Sequence, residues 1–477
     1  MKTQKILVLI IGLICSFVLH GQFSDFDLSQ YKLPDIRQNR LDATFNLLND
    51  MSSSLSQERW DTTKSKHNNL TGFISFGYYY FRNTKKYQGK LIVNTFLNPT
   101  LNKYLSDNQD NKNTNTEINF VISSINRFYN ERFLFFEISP SFSFYSDRSG
   151  FLHKNSSTAE NTDRLSTTRV SAPVSVGYGR IEPMEDLRLA IYILEELQKA
   201  GRIKIAPSED VIIDMAREIS KIKRKRFFDT RIRKIEELHV VDSFLVAHNI
   251  LSSNDITYFA VLNDNWDYSS GPARETGFSV NTGIGNDIFI ERAKEKYTID
   301  NTTVQDNKFY SNEYEAGGFI SIKYAKPLNL YWQTGAGINT SYGIEFTRNP
   351  LEKEEALLNY ETNIFRTSIN GMLQYLPDSR TSVGLDLTGN YQHSYNIRTL
   401  TDLDPDGFRM RSNILSIDAS FDIYYYISPR FRVRLLTSLS GNNSDIRVRY
   451  ESALPEDKNL KRSYYHNVSV TLTYSFF

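Results

Sequence analysis

The sequence predicts an all-β transmembrane barrel of about 14 antiparallel strands carrying an α-helical periplasmic insert. Three observations predict it. Runs in which apolar and polar residues alternate with period two recur along most of the chain. Tight and long connections between those runs alternate, as in barrels with short periplasmic turns and larger outer loops. The composition is 13% aromatic, with 29 Tyr and 31 Phe, yet mean hydropathy is −0.44. That is too polar for a bundle of membrane helices and suits strands with one lipid-facing and one lumen-facing side.

The N-terminus indicates export. Lys2 and Lys5 precede an apolar stretch from Ile6 to Leu19, and His20, Gly21 and Gln22 lead into a polar chain. This is the pattern of a secretory signal peptide over 1–21, and its apolar run of about 14 residues falls short of the roughly 20 that a spanning helix needs. The single cysteine, Cys15, follows Ile14 where a lipoprotein site would want a small residue, so lipidation is not expected. The mature chain is then without thiol or disulfide chemistry. A net charge of +1, from 56 basic and 55 acidic residues, supplies no long-range field for nucleic acid.

Each strand is read from its alternation. Val468, Val470, Leu472, Tyr474 and Phe476 share one face of the last run, with Ser469, Thr471, Thr473 and Ser475 on the other. The same pattern marks Leu415, Ile417, Ala419, Phe421, Ile423 and Tyr425, then Val383, Leu385 and Leu387, then Leu134, Phe136 and Ile138. Strands are expected near 38–50, 68–82, 86–98, 116–128, 131–146 and 166–180. After the insert they are expected near 270–285, 312–326, 328–347, 357–375, 380–396, 409–427, 430–446 and 461–477. Long polar loops are expected at 51–67, 99–115, 147–165, 286–311, 397–408 and 447–460, with a shorter one at 348–356. An even strand number puts both termini in the periplasm, and the weakest strand, around Leu41, Ala43, Phe45 and Leu47, is needed to complete it. Tyr78 to Phe81, Tyr424 to Tyr426, and Tyr474, Phe476 and Phe477 read as an interfacial aromatic belt.

The domains follow: a signal peptide over 1–21, a periplasmic segment over 22–37, a first half-barrel over 38–180, the insert over 181–266 and a second half-barrel over 267–477. In the insert the period changes from two to 3.6. Leu187, Leu189, Ala190, Ile193, Leu194 and Leu197 mark a helix begun by Pro183 and stopped by Gly201. A second starts at Ser208 and runs through Val211, Ile212, Met215, Ile219 and Ile222; a third holds Ile232, Ile235, Leu238, Val241, Leu245 and Val246; a short fourth follows Ser253, Asn254 and Asp255. The basic run from Lys221 to Arg226 is balanced by acidic residues nearby and reads as a solvated helix end.

The block Gly177, Tyr178, Gly179, Arg180, Ile181, Glu182 and Pro183, followed by Glu185, Asp186 and the helix from Ala190 to Leu197, resembles a segment shared by uncharacterised outer-membrane barrel proteins of Bacteroidota-type bacteria. The expected start at Gly21 and Gln22 is similar to theirs as well. The resemblance covers the insert and its neighbouring strand better than the rest of the barrel. It implies membrane location and architecture, and brings no activity or site residue with it. The C-terminus departs from many such barrels, because Phe476 holds the lipid-facing phase while Phe477 is one residue out of step.

No catalytic, cofactor or metal site is expected. His67, His153, His239, His248, His393 and His466 have no paired spacing. Gly283, Gly285, Gly335 and Gly337 read as strand glycines. His393 and Ser394 are adjacent on a strand and so face opposite sides, which argues against a hydrolytic dyad. Lumen-facing charge is the candidate functional feature: Arg366, Asp386, Asp418, Asp422, Arg432 and Arg434 share the inward phase. Paired, they would fill the lumen with salt bridges; opposed across a pore, they would orient a polar solute. Pro140 and Pro173, inside neighbouring strands, read as a bulge, the alternative being a seam that opens sideways, by analogy with the 14-stranded long-chain fatty-acid channels.

Two roles are therefore expected. One is a non-enzymatic envelope scaffold whose periplasmic helices dock a protein partner. The other is a passive channel that the helices plug or gate. The expected partners are outer-membrane lipid, the barrel assembly machinery and a periplasmic or envelope protein, with no cofactor.

Overall fold

The computed structural model describes residues 26–58, 61–106, 109–154, 157–225, 230–267, 274–350, 357–398, 408–428, 431–450 and 457–474. The expected signal peptide and the terminal Phe476 and Phe477 lie outside them. One antiparallel sheet contains every strand. The first four are β1 (Ile36–Glu58), β2 (Asp61–Asn83), β3 (Tyr87–Ser106) and β4 (Gln109–Tyr129). Then come β5 (Leu134–Ile138), β6 (Ser141–Lys154), β7 (Thr158–Ser171) and β8 (Val174–Pro183). Past the helices follow β9 (Glu275–Ile299), β10 (Thr302–Pro327), β11 (Trp332–Pro350), β12 (Leu357–Tyr375), β13 (Thr381–Arg398), β14 (Phe408–Ser428), β15 (Phe431–Tyr450) and β16 (Asp457–Tyr474).

These 16 strands form 14 rungs of an up-and-down meander, because β5 with β6, and β7 with β8, are each one wall strand cut in two. The cuts fall at Pro140 and Pro173. The expected bulge is not what the prolines make. β4 meets β5 with Asn126 opposite Ile138 and β6 with Ser123 opposite Ser141, so the register carries across the gap with no residue inserted. The ladders from β5 to β8 and from β6 to β7 are likewise in one register. Each proline lacks an N–H, and both fall at one level of the wall, so the ladder opens there without shifting. Single bonds tie the break at its borders: Ser124 N donates to Pro140 O at 2.9 Å and Ser139 N to Pro173 O at 3.1 Å.

Several expected long loops are instead paired strand. β1 and β2 remain in register out to Glu58 opposite Asp61 and β3 and β4 to Ser106 opposite Gln109, and β9 and β10 stay paired to Ile299 opposite Thr302 across one register shift between Thr303 and Gln305. Stretches such as Thr62, Thr63, Lys64 and Ser65 are polar on both faces, so alternation vanishes while backbone pairing continues. The opposite end has short turns, at 84–86, 130–133, 328–331 and 376–380. β9 and β11 begin at Glu275 and Trp332, later than the expected 270 and 328. β1 and β16 are the sheet's edges, with no ladder between them among the described residues.

One face of the sheet is apolar and exposed, with Phe45 at 70%, Ile284 at 66% and Val470 at 65% of full exposure. The apolar core lies elsewhere. It is built by α1 (Glu185–Lys199), α2 (Glu209–Lys223), α3 (Thr230–Ala247) and α4 (Ile256–Asp267), with Phe26, Leu28, Tyr31 and Leu33 of the N-terminal segment packed among them. α1 is its axis: Leu187, Ala190, Ile191, Ile193, Leu194 and Leu197 are each fully or almost fully buried. Gly201 ends it in the left-handed conformation, φ +69°, which a glycine adopts without strain. Pro183 closes β8 rather than opening α1, whose N-cap is Met184, because Met184 N still bonds Arg274 O at the root of the β8–β9 hairpin. Among the described residues no helix is long and apolar enough to cross a membrane.

Candidate functional site

Two places bring chemistry together: the polar face of the wall, and the rim where the helices meet the short turns.

On the polar face, cross-strand register puts all six predicted residues on one side. Arg366 is opposite Gln392, Asp386 opposite Ser420, and Asp418 opposite Ser440, while Arg432 and Arg434 continue the phase on β15. The structure separates them into two groups. Arg434 and Asp422 form a two-pronged ion pair, at 2.9 and 3.1 Å. Arg432 donates to the Tyr424 hydroxyl at 3.0 Å, and Asp418 takes the Ser440 hydroxyl at 2.5 Å. Arg366 stands apart and pairs with Glu315 of β10. Asp386 makes no ion pair among the described residues. The pairing expected for a filled lumen is present, but the Arg434 side chain stays 48% exposed, so these groups do not fill a buried interior.

Sequence reasoning missed the companions of Arg366. Arg169 on β7 pairs with Asp287 on β9, and both border a cavity of about 380 Å³ with Glu315, Phe319, Arg366 and Pro173. The signal was available, since Arg169, Asp287 and Glu315 hold the polar phase of their strands. This cavity lies against the proline break, where Ala172 N donates to the Asn286 side chain at 3.0 Å. The belt reading is corrected in part. Tyr78, Tyr80 and Tyr425 share the apolar phase, whereas Phe81 packs on the helical core and Tyr424 and Tyr426 meet edge-to-face beside Arg432. His393 and Ser394 do face opposite sides; the His393 ring bonds Asn413 at 2.8 Å, and Ser394 is buried.

At the rim, the segment read as a resemblance acts as a clamp. Gly179 and Gly277 hold φ of +97° and +127°, and a Cβ at either would lie 2.1 Å from a carbonyl oxygen across the ladder, of Phe278 or Arg180. The bend lets Arg180 reach past β4 and β5 to the β2–β3 turn, where it donates to Asn83 at 2.7 Å, Thr84 O at 3.0 Å and Lys85 O at 3.2 Å. Glu182 pairs with it at 2.6 Å. Arg274, fully buried, donates to Leu330 O at 2.6 Å, Asn329 O at 2.8 Å and Trp332 O at 3.0 Å, capping the β10–β11 turn. The Tyr192 hydroxyl donates to Leu376 O at 2.8 Å, and Asp264 pairs with Arg380 on the β12–β13 turn. Burial pushes Tyr192 up to about 12.

Inside the insert a buried ion network locks three segments. Asp186 accepts from Lys223 at 2.7 Å and from Ser220 at 2.6 Å, Ser220 bonds the Tyr31 hydroxyl at 2.7 Å, and Arg224 lies 3.5 Å from the carboxylate. Burial alone would raise Asp186, but Lys223 and Arg224 overcome it and hold the acid at about 2. A rim cavity of about 460 Å³ lies between α1, α4 and the β12–β13 turn, lined by Tyr192, Glu195, Tyr331, Tyr375 and Arg380 among others. Glu195 is raised there by burial. Sequence reasoning found the insert, but not Arg274 and not the ion network around Asp186.

No protein-family model matches the chain, and no curated protein matches it. Among solved structures the chain is similar to the translocator domain of the autotransporter NalP from Neisseria meningitidis, at 8% identity over 77% of this chain and 84% of that one, with a TM-score of 0.23. It is also similar to the Pseudomonas putida toluene transporter TodX, at 10% identity over 93% of this chain and 91% of that one, with a TM-score of 0.27.

Proposed function

We propose that the protein is a non-enzymatic outer-membrane barrel that serves as an envelope scaffold or complex component, docking a periplasmic or envelope protein through its helices. The observation that carries this reading is the insert's construction. It has its own buried core, which takes in Leu330 and packs against Phe81 and Tyr331 of the wall. It is tied to the β12–β13 turn by the Tyr192 hydroxyl on Leu376 O and by Asp264 with Arg380, while Arg180 and Arg274 brace the two strands at its roots, so it is held in a fixed pose. A loop that only covered a pore would not need such anchoring. Meanwhile Ile235 and Val246 on α3 and Ile256 and Phe259 on α4 remain exposed, four apolar side chains that a partner would cover. An apolar, exposed sheet face with polar hairpins at one end and the insert at the other supports a lipid-embedded wall with the insert, and both termini, in the periplasm. Outer-membrane lipid and the barrel assembly machinery are partners on the same reading.

A second reading, a passive channel plugged or gated by the insert, is favoured by two contacts. Phe81, on the polar face of β2, packs against the helical core, and the 380 Å³ cavity lies further along that face. The test is a mild-detergent pull-down comparing the full chain with one in which 184–267 is replaced by a short Gly-Ser turn. Loss of a stoichiometric partner while the barrel still folds supports docking. If the full chain retains no partner and the shortened chain conducts more, the scaffold reading fails and the channel reading replaces it.

A further inference from the structure

The outward end of the wall carries a charge arrangement that the proposed function leaves unused. On the apolar phase, Phe142, Val170 and Ile288 stand side by side on β6, β7 and β9, and the next level holds Phe144, Thr168 and Ile290. Two levels further along the same face, Arg148 of β6 is opposite Arg164 of β7, Arg164 is opposite Lys294 of β9, and Lys294 is opposite Lys308 of β10. Four cations thus stand in one row across four neighbouring strands. Arg292 lies one level nearer the apolar band and Lys296 one level beyond, both on the same face.

Like charges directly opposite on paired strands repel and destabilise a sheet unless something compensates them. The compensation within the protein is partial: Lys294 pairs with Asp306 at 3.0 Å, and Glu160 borders the same hollow of about 320 Å³ that Arg148, Arg164, Lys294 and Lys296 line. Neither the Arg148 nor the Arg164 guanidinium has an ion pair among the described residues. With Lys308 left aside because it has a partner of its own, five cations face two carboxylates among the described residues, an excess positive charge at one spot of a chain whose net charge is only +1. Strands lie about 4.8 Å apart, so the row spans about 14 Å, the scale of a disaccharide headgroup. Arginine pairs suit phosphate because each guanidinium presents a planar fork of donors.

We propose that this row is a binding site for the phosphorylated headgroup of an outer-leaflet glycolipid, whose acyl chains lie along Phe142, Phe144, Val170, Ile288 and Ile290. The site rests on the reading of the wall as a membrane barrel with its long hairpins outward; it does not depend on what the insert docks. The apolar band ending where the cations begin selects a lipid over a free anion, since a soluble phosphate gains nothing from those side chains.

The test uses the full-length protein refolded in detergent, with folding checked by its heat-modifiable gel shift, and bisphosphorylated lipid A as probe. Retention after detergent exchange is read by native mass spectrometry. Wild type retains the lipid, and about 1 M salt, which shortens the screening length to about 3 Å, releases it. The Arg148→Gln, Arg164→Gln, Lys294→Gln triple variant folds and binds on the order of a hundredfold more weakly, each cation contributing on the order of fivefold. A control removing equal charge at the same end of β16, Lys458→Gln, Lys461→Gln, Arg462→Gln, retains the lipid. Equal loss in the control, equal binding of dephosphorylated lipid, or displacement by inorganic phosphate each overturns the proposal. A wild-type chain that shows no folded barrel band overturns the membrane reading instead.

Discussion

The helical insert and the strand wall solve the burial problem in opposite ways within one chain. In the insert Leu194 is 1% exposed and even Asp186 is enclosed, so protein supplies all the apolar cover and every charge needs a protein partner. In the wall Ile417 is 58% and Leu439 58% exposed, so the protein supplies no cover there; on the proposed membrane reading lipid does, and charges on the other face keep partial contact with water. The contrast teaches where mutations should hurt. Truncation inside the insert leaves a cavity, whereas truncation on the wall's apolar face leaves a space that lipid fills.

The largest expected effect is at Asp186. Replacing it by Ala removes the buried carboxylate that Lys223 and Arg224 share, and should destabilise the insert by about 3–5 kcal/mol while the wall stays folded. The check is chemical denaturation followed at Trp266, beside the heat-modifiable gel shift of the barrel. The pH response has a definite sign. With a folded value of about 2 below its ordinary 3.8, Asp186 stabilises the insert above about pH 4, and that contribution is lost as pH falls through about 2. Wild type should show this acid transition and Asp186→Ala should not.

Next comes the direct contrast of the two regions. Leu194→Ala should cost about 2–5 kcal/mol in the insert, while Leu439→Ala on the wall should cost less than about 1 kcal/mol. Equal losses by thermal unfolding in detergent would erase the distinction. Arg274→Met should cost about 2 kcal/mol or more by leaving three turn carbonyls without their donor, and hydrogen exchange should rise at 328–332. The smallest effect is at Asp264→Asn, about 0.5 kcal/mol, because that ion pair with Arg380 is half exposed.

The insert was legible in the sequence because a 3.6 period in Leu187, Ala190 and Leu194 is unlike anything in the strands around it. The wall was legible only where one of its faces is apolar. Val468, Val470 and Leu472 announce a strand, but the hairpin extension through Thr62 and Lys64 does not, since nothing there requires one face to be apolar. Pro140 and Pro173 were visible, yet a bulge and an in-register gap in the ladder look alike until the partner residues on β4 and β9 are known. The six candidates were placed together on one face by phase alone, while Arg366's partner Glu315 lies about 50 residues away on β10 and needed the strand order. The roles of Arg180 and Asp186, and Arg274 altogether, escaped notice because their partners are turn carbonyls and other segments' side chains, which no local period encodes.

The central claim is that one wall separates two compartments, with the hairpin ends outside and the insert in the periplasm. The direct measurement is maleimide labelling of single cysteines in whole cells, which the sequence favours because Cys15 is its only cysteine and lies in the expected signal peptide. Cysteine at Asn301, in the β9–β10 hairpin, should react with an impermeant reagent in intact cells, and cysteine at Ile256 of α4 only after the outer membrane is permeabilised. Labelling of Ile256→Cys in intact cells with Asn301→Cys protected would invert the orientation and contradict the account.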